Sequence, residues 1–168
     1  MTLPMRSQPF DTRDFRRALG QFATGVCIVT ARDQAGHPTG LTVNSFASVS
    51  LEPPLVLWSL ARSSSVFAAF DAAPHFAVNV LAADQLDLSN RFASPGERFT
   101  GLEWEEGHHG LPLLRGCLAN FECTVAARHE GGDHIIFIGE VARYDARPGE
   151  PLLYSGGRYA LATPHDGL

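Results

Sequence analysis

The 168-residue sequence predicts a closed antiparallel β-barrel with a few peripheral helices. Short apolar runs with period-two alternation recur along the chain, and two of the gaps between them are glycine-containing turns of hairpin length. No strand leads into a Gly-x-Gly-x-x-Gly turn and a helix, which disfavours a dinucleotide fold.

Residues 1–10 read as an irregular N-terminal tail and residues 11–168 as one domain. Phe15, Ala18, Leu19 and Phe22 recur at helical spacing, so an amphipathic helix comes first, with Asp11 or Thr12 as its cap. Val26 to Ala31 and Leu41 to Phe46 flank Asp33-Gln34-Ala35-Gly36, a hairpin candidate. Leu55 to Leu60 and Phe76 to Leu81 add two strands. Short helices are expected over Ser65 to Phe70 and Asp84 to Phe92. A second hairpin joins Ala119-to-Arg128 with His134-to-Tyr144 through Glu130-Gly131-Gly132-Asp133. The stretch from Ser94 to Gly116 has no clear periodicity; loops of that length are lids, binding segments or subunit contacts, with ordered packing by Phe99, Leu102 and Trp104 an equal alternative.

A formal net charge of −5 and the absence of a Lys/Arg-rich run argue against nucleic-acid binding, so any affinity for phosphate must be local. No apolar stretch approaches the ~20 residues of a membrane span. Met1 to Arg6 lacks a secretory apolar region, and a cytoplasmic protein is expected. Cys27, Cys117 and Cys123 cannot all pair within one chain and show no Cys-x-x-Cys spacing; they read as small hydrophobes. His108-His109 has no carboxylate or cysteine cluster at ligand spacing, so no metal is expected.

Chemistry concentrates in Thr39-Gly40-Leu41-Thr42-Val43-Asn44-Ser45-Phe46-Ala47-Ser48-Val49-Ser50 and the following Leu55-to-Leu60 run, which includes Trp58 and Ser59. Leu41 and Val43 alternate with Thr42 and Asn44, and from Asn44 onward the serines are too dense for a plain buried strand. Clustered hydroxyl and amide groups beside aromatic residues suit a flat heteroaromatic ligand with one polar edge; a strand ending in a Ser-rich turn is the bland alternative. Arg62-Ser63-Ser64-Ser65 then precedes an apolar helical segment, where free N–H groups, hydroxyls and an arginine favour phosphate. Simple helix capping by Ser63 or Ser64 is the competing reading. Together the two segments fit the two ends of a flavin nucleotide.

These runs, with Ala23-Thr24-Gly25-Val26, Glu52-Pro53-Pro54-Leu55, Phe76-to-Leu81, Arg98-Phe99-Thr100-Gly101, Gly132-Asp133-His134, Gly139-Glu140-Val141, Pro151-to-Tyr154 and Gly157-Arg158-Tyr159, resemble the flavin reductase-like, FMN-binding split-barrel family, which includes reductase components of two-component flavin monooxygenases. The resemblance covers about Phe15 to Leu161 and implies an antiparallel Greek-key split β-barrel that reduces FMN or FAD with NADH or NADPH. It further implies a homodimer and a separate monooxygenase that receives the reduced flavin. By that resemblance Thr42, Asn44, Ser45, Ser48 and Ser59 contact the ring or ribityl chain. Arg62, Ser63, Ser64 and Ser65 hold phosphate, and Ser89, Arg91 and Phe92 lie at the ring and phosphate edge. His134 orients the nicotinamide with help from Tyr159. Ser155-Gly156 departs from the bulky or basic residues of many relatives, which leaves the preferred pyridine nucleotide open. The same barrel can also hold FMN tightly as a carrier or sensor without reductase turnover.

Overall fold

The structure, a computed structural model, describes residues 10–167. The expected N-terminal tail therefore lies outside the described residues except for Phe10. In chain order the elements are α1 (Thr12–Leu19), β1 (Thr24–Gly25), β2 (Cys27–Arg32), β3 (Pro38–Val43), β4 (Ala47–Leu51), β5 (Pro54–Ala61), α2 (Phe67–Ala72), β6 (His75–Val80) and α3 (Leu86–Ala93). They continue with β7 (Trp104–Glu106), a 3₁₀ turn (His108–Gly110), β8 (Pro112–Leu114), β9 (Ala119–Gly131), β10 (His134–Ala146), β11 (Leu152–Ser155) and β12 (Arg158–Leu161).

Seven strands form the main sheet in the order β3-β2-β6-β9-β10-β5-β4, with every neighbouring pair antiparallel. Its edge strands β3 and β4 are consecutive in sequence, linked only by Asn44, Ser45 and Phe46. Flat, seven strands about 4.8 Å apart would hold those edges roughly 29 Å from each other, whereas the link spans at most about 14 Å. The sheet must curl into a barrel. Because β3 and β4 share no ladder, the barrel is split at that link; the closure expected from the strand pattern is corrected, and the split form implied by the resemblance is what the chain adopts.

Strand β2 explains the layering. Cys27, Val29 and Ala31 enter the barrel core with Trp58, Phe70, Phe76, Val78 and Phe137. The alternate residues Val26 and Ile28 enter a second core with Leu81, Phe92, Phe99, Leu114 and Leu152, so this strand is covered on both faces. Trp58 stacks on Phe137 at 4.8 Å and meets Phe70 edge-on at 5.1 Å, which ties β5, β10 and α2 together. Gly139 permits the tightest approach: a Cβ there would lie 2.4 Å from Phe76 Cζ and 2.9 Å from Cys123 Cβ. A register shift between Ile138 and Gly139 marks the same spot.

The segment from Ser94 to Gly116 is ordered, with β7 and β8 forming a hairpin around the 3₁₀ turn. Its short strands fall below the length at which alternation is legible in sequence. Polar groups nail it down. Thr30 Oγ1 donates to the Pro112 carbonyl at 2.6 Å, and Arg32 Nε donates to the Gly110 carbonyl at 2.6 Å. The fully buried Asn79 amide donates to Ile28 O and Thr30 Oγ1 and accepts from Leu114 N–H and Asn120 Nδ2. All its polar capacity is matched.

Both hairpins form where the turn residues place them. Asp33 Oδ1 accepts from Ala35 N at 2.9 Å and His37 N at 2.8 Å, with Gly36 at φ 83°. The β9–β10 turn is shorter than expected, only Gly132 (φ 74°) and Asp133, because the ladder runs on to Gly131–His134. Helix α1 is capped by Asp11, whose Oδ1 accepts from Arg13 N at 2.8 Å and from Asp14 N at 3.4 Å. Yet none of its residues is buried, and Phe15, Leu19 and the following Phe22 leave 49%, 57% and 80% of their surface exposed.

Candidate functional site

The split between β3 and β4 opens onto a depression of about 340 Å³, lined by Leu41, Thr42, Val43, Asn44, Ser45, Ser59, Leu60, Ala61, Ser64 and His134. That volume lies within the ~300–1,000 Å³ of small-molecule sites. Thr42, Val43 and Asn44 also wall an adjoining depression of about 250 Å³ with Val26, Ala93, Tyr154 and Tyr159. The shared Thr42, Val43 and Asn44 make the two adjoin as a groove at the end of β3, the first part lined by His134 and the second by the tyrosines.

Topology assembles it. Ser59 and His134 come together because β5 and β10 are neighbours, with Ala61 opposite His134 and Ser59 opposite Ile136. Ser45 locks the link between the barrel edges: its hydroxyl accepts from Ser59 N at 3.0 Å and donates to Ser59 O at 3.2 Å. Thr42 Oγ1 donates to the Ser89 carbonyl at 2.7 Å, and Ser89 Oγ pairs with Tyr159 Oη at 2.8 Å. This chain fixes the floor from β3 through α3 to β12. Asn44 is exposed at the lip, and its side-chain amide has no hydrogen-bond partner among the described residues.

Not every expected site residue reaches the groove. Ser89 and Phe92 are fully buried, Phe92 within the second core and edge-on to Phe99 at 5.1 Å. They position the wall rather than line it. Arg91 is turned to the Thr100 carbonyl. Ser48 is exposed on β4, outside the lining. The serines Ser63, Ser64 and Ser65 precede α2 rather than forming its first turn: the helix begins at Phe67, its N-cap is Val66, and Ser64 Oγ accepts from Val66 N only at 3.4 Å. Ser64 lies on the groove, while Ser65 faces a neighbouring depression of about 250 Å³ that also contains Gly40, Val66, Glu97, Arg98 and Phe99. Arg62, between Ala61 and Ser64 in sequence, sends its guanidinium to the Glu130 carboxylate of the β9–β10 hairpin. Its backbone N–H donates to the Asp133 carbonyl at 2.9 Å.

His134 Nδ1 lies 2.7 Å from Asp133 Oδ1, and that hydrogen bond, followed by the imidazole's charge, holds the Asp133 carboxyl below the usual carboxylate range. The ring is half-exposed, with its other nitrogen free to meet a ligand. Sequence reading passed over Tyr154 as a lining residue, Glu130 as a partner of Arg62 and Arg98 beside Ser65. Only the first carried a usable signal, its place in the Leu153-Tyr154 strand opposite Tyr159.

Among the described residues the cysteines and the other histidines do not line the groove. Burial pushes the thiols of Cys27 and Cys123 up to about 12 and that of Cys117 to about 11, and all three are free and buried. His109 stacks on His75 at 3.7 Å with an interplanar angle of 7°, and His108 lies 3.9 Å from His109. Among the described residues no group of three His, Cys, Asp or Glu side chains is arranged to hold a metal. No helix among them is long and apolar enough to cross a membrane.

The groove sets polar groups beside apolar walls, which suits a flat heteroaromatic ligand with one polar edge. An unpartnered amide stands at its lip, apolar Leu41, Val43 and Leu60 line its walls, and a hydroxyl-bearing turn with an adjacent arginine lies at one end. A profile of the flavin reductase like domain matches residues 19–162. The FMN reductase (NADH) SmoA of Agrobacterium fabrum is 56% identical over 149 residues, 89% of this chain and 85% of the relative. The HsaB reductase subunit of a flavin-dependent monooxygenase from Rhodococcus jostii is 41% identical over 160 residues, 94% and 82% of the two chains. Among solved structures, the NADH:FAD oxidoreductase SgcE6 of Streptomyces globisporus in complex with NAD and FAD fragments superposes with a TM-score of 0.88 at 39% identity, covering 97% of this chain and 99% of that one.

Proposed function

The chain belongs to the flavin reductase-like domain family, and from that premise we propose that it oxidises NADH to reduce FMN or FAD and passes the reduced flavin to a separate monooxygenase. The observation that supports this reading best is the pair of adjoining depressions at the barrel split that share Asn44, one lined by Ser59 and His134 and the other by Tyr159.

When bound, the flavin and the nicotinamide supply the hydride chemistry. The chain's own residues bind and orient. Asn44 and the Ser59 strand meet the polar edge of the ring, and Leu41, Val43 and Leu60 exclude water from its faces. Ser45 and Ser89 hold that wall in place from behind. Ser63, Ser64, Ser65 and Arg62 receive the phosphate, and Ser65 leads toward the Arg98 depression. His134, oriented by Asp133, presents a ring nitrogen to the nicotinamide carboxamide, with Tyr159 at the far end of the groove. Little acid–base machinery is needed. Positioning two rings in contact contributes on the order of 7–11 kcal/mol in favourable cases.

The protein works as a homodimer in the cytoplasm. Supporting the first is the uncovered apolar face of Phe15, Leu19 and Phe22; supporting the second are three free, unpaired thiols. The deciding assay follows NADH absorbance at about 340 nm with and without added flavin. Rapid loss only with FMN or FAD is expected. A bright, stoichiometric flavin load without NADH turnover would instead identify a carrier or sensor.

A further inference from the structure

Arg62 is the only guanidinium in the proposed phosphate-binding run, and it is already engaged. Its side chain pairs with Glu130, while its backbone N–H is held by Asp133 across the same hairpin. Ala61 and Ser64 line the groove on either side of it, but the guanidinium itself is turned away toward β9. A phosphate seated on Ser64 and Ser65 can take Arg62 only in competition with the Glu130 carboxylate. Both partners are solvent-accessible, the arginine side chain 43% and the glutamate 79% exposed, so exchange is physically open.

We infer that Glu130 is an internal competitor for the flavin phosphate, an affinity-setting residue that acts through Arg62. The inference rests on the reading that Arg62 receives phosphate. Two anions contend for one cation: with the groove empty, Glu130 satisfies Arg62; with phosphate present, the carboxylate is released to water. Phosphate binding is thereby weakened by the free energy of the resident pair. An exposed ion pair of about 0.4–1 kcal/mol converts, at about 1.4 kcal/mol per decade, to a roughly two- to fivefold weaker flavin affinity. The penalty falls only on ligands that carry phosphate.

The test titrates purified, flavin-free protein with FMN and with riboflavin at low salt, following flavin fluorescence. Glu130→Gln is expected to tighten FMN about two- to fivefold, slow its dissociation and leave riboflavin unchanged. Glu130→Asp should restore wild-type values. In an Arg62→Gln background the Glu130→Gln change should have no effect, which separates competition for Arg62 from a general gain of positive potential. If Arg62→Gln selectively weakens FMN while Glu130→Gln leaves it unaltered, Glu130 is an ordinary surface partner and the inference fails alone. If Arg62→Gln weakens FMN and riboflavin equally, or neither, Arg62 is not the phosphate seat and both readings fall together.

Discussion

At the scale of single residues, position matters more than residue type. His134 shares its strand face with Ile136 and Ile138, as the alternation indicates, yet what equips it is the ladder that sets it opposite Ala61 and the Asp133 carboxylate 2.7 Å from Nδ1. His134→Ala should leave flavin affinity nearly intact while raising KM for NADH or slowing hydride transfer. The loss should be about 1–3 kcal/mol, roughly ten- to a hundredfold in kcat/KM, measured by stopped-flow reduction of pre-bound flavin. An unaltered rate would return His134 to the ordinary end of a strand. Gly139 makes the opposite case, a residue needed for what it lacks. Adding a methyl 2.4 Å from Phe76 Cζ must push that ring or open the β10 register, so Gly139→Ala should cost on the order of 1–3 kcal/mol in chemical denaturation. Phe76→Leu in the same chain should recover part of the loss, because the two substitutions share one contact.

At the scale of elements, the β7–β8 hairpin shows how a segment without periodicity becomes ordered. Its backbone is captured by Thr30, Arg32 and Asn79, and its 3₁₀ turn lays His109 flat on His75 of β6. Burial first, then the nearby His109 and His108, lowers the pKa of His75 from its ordinary 6.5. The folded His75 therefore binds its proton less readily than the unfolded chain does around that value. Stability should be full above about pH 6.5 and decline as pH falls through the window below it. The other groups facing the cluster are Thr124, in contact with His75 Nδ1, and Glu122, Arg32 and Glu106 around the turn. His75→Phe, which keeps a ring on His109, should flatten the acid limb of the melting temperature; an unchanged limb would place the acid sensitivity elsewhere.

At the scale of the whole molecule, one topological fact creates the candidate groove. Edge strands that are neighbours in sequence but not in hydrogen bonding create a slot, and the link across it is Asn44-Ser45-Phe46. The outer surface retains uncovered apolar area at Phe15, Leu19 and Phe22 and at Tyr144, whose ring stacks at 6.3 Å on Phe121, a residue partly buried against the barrel core. Burying such area is the general drive for association. Light scattering at micromolar concentration should return about twice the 18.2 kDa chain mass. Phe15→Glu combined with Leu19→Glu should yield monomer if the α1 face is the contact. A fully active wild-type monomer would overturn the dimer.

Sequence alone determined the local items whose signals are short-range. These include most strand positions from alternation, the Asp33–Gly36 hairpin from its turn residues, the Asp11 cap, and the polar run from Thr42 through Ser65, part of which lines the proposed flavin groove. Tertiary structure decided which members of that run are available to a ligand. Ser45 is committed to Ser59 and Arg62 is held by Glu130, a residue 68 positions away, while Phe92, beyond that run, lies in the second core. Hydrogen-bond partners and burial depend on strand order and register across the sheet, and a local pattern repeating every two residues carries no information about which strand lies alongside.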